Sequence, residues 1–115
     1  MAAVGALLAA PGPAWADYDI HTGSWLLQKC QSSNLAEQSF CLGYISAGFA
    51  GMQVLLLVND TDFCVPDPVT QGQMQDVVVD YLRRHPKDRH KSAVVLIGSA
   101  IADAWPCVEA GFNGR

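Results

Sequence analysis

The sequence predicts an all-α protein, a small four-helix up-down bundle held by two disulfides. Three observations carry that expectation. Apolar residues recur at helical spacing, no stretch alternates in the two-residue rhythm of a half-buried strand, and four cysteines form an even set. At 115 residues the chain has room for one domain built on one core. Half of the residues are hydrophobic and only 16% are charged, which favours folding over disorder.

The chain opens with MAAVGALLAAPGPAWA, residues 1–16, which hold no charged side chain. The apolar run is too short for a bilayer, which needs about 20 residues, and it ends in Ala14-Trp15-Ala16, small residues at both ends of a triplet. This predicts a signal peptide cut after Ala16, although no Lys or Arg precedes the apolar run, and leaves residues 17–115 as a single exported domain. No later stretch is read as a membrane span.

A first short helix is predicted over 24–31, capped by Thr22 or Ser24 and ended by Ser32-Ser33-Asn34. A second, the main internal helix, runs from Ala36 to Val58. Its Gly43, Ala47 and Gly51 recur every four positions, making a smooth ridge suited to close approach by another helix in a tight core. Val54 to Val58 are five apolar residues in a row, more than one core stripe needs, and they suggest a homodimer.

Asn59 to Pro68 reads as a loop, with Asn-Asp-Thr-Asp followed by two prolines around Asp67. Thr70 with Gln73 forms a capping-box pattern, and Met74, Val77, Val78, Tyr81 and Leu82 follow at helical spacing. Pro86 stops this third helix and is placed to open the fourth, whose buried stripe is Ala93, Ile97, Ala100, Ile101 and Ala104. The fourth helix ends before Pro106.

Helix order predicts the pairing of the cysteines. In an up-down bundle Cys30 closes the first helix and Cys41 opens the second, so they share one end, while Cys64 and Cys107 share the other. A helix of about 20 residues spans about 30 Å, and bridged Cα atoms sit within about 7 Å, so crossed pairings are excluded under this topology. An even cysteine set also favours an oxidising compartment.

Several function classes lack their signatures. The cysteine spacings and the absence of C-x-x-C argue against zinc, and Asp60 with Asp62 lack the further ligands of a calcium loop. No metal or other cofactor is expected. A net charge of -4 without a Lys or Arg run offers no footprint for nucleic acid. No G-x-S-x-G, H-E-x-x-H or phosphate loop is present, so the chain is read as a binding protein and not an enzyme. Five of the seven basic residues cluster at Arg83, Arg84, Lys87, Arg89 and Lys91, a solvated corner or, second, a partner-facing patch. The loop is the first candidate for partner binding, with Phe63 as anchor and Asp60 and Asp62 steering it toward a basic cleft; the competing reading is that Phe63 packs under the loop and the two carboxylates are only solvated.

Phe40-Cys41-Leu42-Gly43-Tyr44-Ile45, Phe63-Cys64-Val65-Pro66, Tyr81-Leu82 with His85-Pro86, and Ala104-Trp105-Pro106-Cys107 occur in that order. Together they resemble the Rap/Tai family of periplasmic type VI secretion immunity proteins. The resemblance covers residues 24–107, with departures at Gly51, where that family often has an acidic residue, at Pro68 for a glycine, and at Trp105 for a phenylalanine. It implies a small, disulfide-bonded, often dimeric helical protein in the periplasm, neutralising a cognate secreted effector such as a peptidoglycan hydrolase. An acid-stress chaperone of the HdeA/HdeB kind shares the size, helices and disulfides and stands as the alternative.

Overall fold

A computed structural model describes residues 21–107, so the predicted signal peptide at 1–16 lies outside the described residues. Four helices are present there: α1 (Gly23–Gln31), α2 (Leu35–Leu57), α3 (Gln71–Arg84) and α4 (Ala93–Ala104). Each of the first three starts at a polar cap. Thr22 Oγ1 accepts from the Trp25 amide at 3.2 Å, and Asn34 Oδ1 accepts from the Glu37 amide at 3.1 Å. Thr70 and Gln73 close the predicted capping box in both directions, at 3.1 and 2.8 Å.

The segment between α3 and α4 departs from expectation. Pro86 opens a separate 3-10 turn, Pro86–Asp88, and α4 begins only at Ala93. The reason lies at the other end of the sequence. The amides of Ser24 and Gly23 donate to the carbonyls of Arg89 and Lys91 at 2.9 and 3.0 Å, and the Ala93 amide donates to His21 at 2.8 Å. Those carbonyls serve the start of α1, so the chain from Pro86 to Ser92 does not run on as one helix. Gly23 is needed at this junction, because a Cβ there would run into the Leu96 and Leu82 side chains and the Arg89 carbonyl.

The core is drawn from all four helices: Leu26 and Leu27, then Cys41 and Ile45, then Met74, Val78 and Leu82, then five residues of α4 between Ala93 and Ile101. Val77 and Tyr81 pack half-buried against it. Leu96 belongs to it although the predicted stripe omitted it, and Ala104, assigned to that stripe, is exposed where α4 runs out.

The glycine ridge is corrected. Gly43 and Gly51 are exposed, and a Cβ at either would meet nothing within 4 Å. Close approach uses Gly48 instead, where an added Cβ would sit 2.7 Å from Ile97 Cδ1, and Gly98, where it would sit 3.0 Å from Met52 Cε. By length α2 also corrects the reading that no later stretch reaches a membrane span: it has 23 residues, and its apolar window has a mean hydropathy of 1.7. Its Cys41, Ile45 and Gly48 are nevertheless buried against the other helices.

Both predicted disulfides are present. Cys30–Cys41 joins the end of α1 to the start of α2 with Cα atoms 5.0 Å apart, and Cys64–Cys107 joins the loop to the segment after α4 at 5.2 Å.

Candidate functional site

Local hydrogen bonds build the loop from the end of α2 outward. The Asn59 side chain donates to the Leu55 carbonyl at 2.9 Å, and the Thr61 amide returns to Leu56 at 3.0 Å. Between them Asp60 takes φ 62°, a left-handed conformation that Asp and Asn tolerate better than most side chains. Asp62 accepts from the next amide, Phe63 N, at 2.7 Å and from Gln53 Nε2 of α2 at 3.1 Å. Its carboxylate therefore braces the loop as well as charging it.

Phe63 is half-buried and turned onto α2, its ring stacked with Phe49 at 5.3 Å and 27°. Cys64–Cys107 pins the loop one residue later, and the Val69 amide bonds back to Pro66 at 3.4 Å. Beside the disulfide lies a groove of about 580 Å³ between Phe49, Met74 and the Val65–Val69 strap, with Asp67 on its wall.

Charge separates along the chain. No Lys, Arg or His occurs from Cys30 to Leu82, so exposed Asp60, Asp62 and Asp67 have no basic neighbour in that sequence. The basic side chains gather at the α3–α4 corner, where several have structural partners. Arg84 reaches Asp80 at 2.7 Å and Asp103 at 3.3 Å, and these two partners, Asp80 foremost, raise its pKa above the ordinary guanidinium value. Arg89 donates to the carbonyls of Leu82 at 2.7 Å and Arg83 at 3.2 Å, satisfying the end of α3. Lys91 pairs with Asp88 at 3.1 Å, and that hydrogen bond lowers the Asp88 pKa.

Sequence reasoning missed one further surface feature and marked only part of another, through the apolar run Val54 to Val58. His21, Trp25, Phe40 and Tyr44 form an aromatic cluster where α1 meets α2, with the Trp25 ring 5.5 Å from Phe40 and 5.3 Å from Tyr44. The spacing of Phe40 and Tyr44, one helical turn apart, was its visible signal. Beside it Lys29 pairs with Glu37 at 3.0 Å, and the Ser32 hydroxyl, then Lys29, hold the Glu37 carboxyl below its ordinary pKa. The second feature is the outer face of α2, where Phe40 is 50% and Val58 71% exposed.

Both features offer apolar and aromatic contact area. A family model described as Rap1a immunity proteins matches residues 22–107. No curated protein and no solved structure matches the chain.

Proposed function

The chain belongs to the Rap1a immunity protein family, and from that membership we propose that it acts in the periplasm, neutralising a cell-wall-degrading effector of type VI secretion by protein–protein contact. The family match over 22–107 carries this reading. The two disulfides suit the same oxidising compartment, and export by a leader cut after Ala16 would deliver the chain there. The match does not favour the acid-stress chaperone.

The loop from Asn59 to Pro68 is the part that meets the effector. Braced by Asp62, the Phe63–Phe49 stack and Cys64–Cys107, it loses little conformational entropy on binding. Its carboxylates, Asp60 and Asp62, face a basic cleft of the effector, and Phe63 with the neighbouring groove supplies the apolar centre. A second copy of this chain covers the outer face of α2, making a homodimer.

Two measurements test the reading. Periplasmic expression of a peptidoglycan-hydrolase effector of type VI secretion from the same genome should lyse cells, and co-expression of this protein should restore growth; lysis by every such effector unchanged by co-expression rejects it. With purified proteins, Asp60→Asn, which keeps a residue tolerant of φ 62°, should slow association and flatten its salt dependence while leaving Tm in place.

A further inference from the structure

We propose that Cys64–Cys107 is a site of thiol–disulfide exchange, attacked at Cys107 Sγ by a neutral or cationic dithiol, while Cys30–Cys41 stays closed.

The two bonds differ in what surrounds them. Cys41 is 0% exposed inside the core and Cys30 packs against that core, so a thiol reaches their bond only when the helices part. Cys107 is exposed in the irregular segment after α4, and Cys64 is half-buried in the loop. Exchange requires a thiolate to approach the sulfur it attacks, so access decides which bond reacts. Cys107 is the more exposed partner and takes the attack; Cys64 is the leaving group.

In the first step the reagent's thiolate bonds to Cys107 Sγ, the bond between the two sulfurs breaks, and its electron pair leaves on Cys64. The reagent's second thiol then closes on the first, releasing Cys107 and leaving the reagent as a disulfide. Two electrons pass from the dithiol to the protein, and the two protons it gives up end on the two cysteines.

Charge around the site selects the reagent. The carbonyl oxygen of Asp62 lies 4.0 Å from Cys107 Sγ. Asp60 and Asp62 precede Cys64 in the loop and Asp67 follows it, all three exposed. On α4 Asp103 adds a carboxylate, already held by Arg84 at 3.3 Å. A reagent that carries an anion besides its thiolate is repelled here, and one that carries an ammonium group is drawn in.

Opening this bond does not enter the core. Every fully buried residue, from Leu26 to Ile101, lies on one of the four helices, with none in the Val65–Val69 strap or after α4. On the effector reading above, the bond therefore tethers the partner-facing loop, while Cys30–Cys41 belongs to the fold.

Reduction of the full-length mature protein by dithiothreitol, quenched by alkylation and read by peptide mass, tests the site. Label should appear first at Cys64 and Cys107, with Cys30 and Cys41 at least about 100-fold slower while the helices stay packed. Circular dichroism of the singly reduced, alkylated protein should keep the helical signal. Cysteamine and mercaptoethanesulfonate test the charge selection, each rate divided by that thiol's rate with hydroxyethyl disulfide. The corrected rates should differ by about tenfold at low salt, cysteamine being faster, and converge at about 1 M salt. Asp60→Asn together with Asp67→Asn, which spare the Asp62 brace, should narrow the difference. First labelling at Cys30 and Cys41, or at all four together, overturns the site, and equal corrected rates for the two thiols overturn its charge selection. No effector enters either measurement, so failure here leaves the effector reading standing.

Discussion

The two faces of α2 use the same residue type to opposite effect. On the inner face Gly48 has no room to spare, with Ile97 in the space a Cβ would take. On the outer face Gly43 and Gly51 have nothing within 4 Å of that position. Apolar residues fall on every side of the helix, so the difference does not come from its composition. It comes from which side α1, α3 and α4 cover, and it leaves the other side a surface whose apolar character needs a partner to explain it.

The most severe way to probe this contrast is truncation on each face. Ile45→Ala empties a fully buried site and should cost about 2–5 kcal/mol, whereas Val54→Ala, measured on the monomer, should stay within about 0.5 kcal/mol. Chemical denaturation of both variants gives the comparison, and equal losses would mean that Val54 is buried in the folded monomer. Enlargement sharpens it. Gly48→Val should destabilise by about 1–3 kcal/mol through overpacking against Ile97, while Gly43→Ala should stabilise the fold by up to about 1 kcal/mol through helix propensity alone.

Removing the Phe63–Phe49 stack extends the contrast to the loop. Phe63→Ala should lower stability by at least about 0.5–1.5 kcal/mol and weaken effector affinity as well, since one ring braces the loop and fills its centre. An unchanged Tm would show that the stack does not hold the loop. The smallest effect concerns pH. Glu37 and Asp88 both have lowered pKa values in the fold, so their stabilisation is present above the ordinary carboxylate values and is lost as pH falls through the folded ones. Tm should therefore be flat from pH 7 to about 5 and decline gently below about 4, without the acid-triggered dissociation that a chaperone of the acid-stress kind would show.

Much of this molecule was legible in its sequence because the signals are local. Thr70 with Gln73 marks a helix start by hydrogen bonds that span three residues, and the pairing of Cys30 with Cys41 follows from the order of short elements. The errors arose where distant segments decide. Pro86 failed to open α4 because His21, Gly23 and Ser24, more than sixty residues away, hold the backbone around Arg89 and Lys91. The wrong glycines were assigned to the core because a helix with apolar residues on every side carries no periodic signal for its buried side. In the candidate loop, Asp60, Asp62 and Phe63 were identifiable by type, but the inward turn of Phe63 onto Phe49 depends on a tertiary contact that residue spacing does not encode.

The connectivity of the cysteines bears on how the protein is made. Read from the N-terminus, the first cysteine joins the second and the third joins the fourth. Of the three ways to pair four thiols, this one arises when an oxidant links them in their order along the chain. If the chain is exported as proposed, a thread emerging into the periplasm can seal Cys30 to Cys41 before Cys64 has arrived, and Cys64 then finds Cys107 as its only remaining mate. Biogenesis along that route needs a donor of oxidising equivalents but no reshuffling enzyme to undo mismatched bonds.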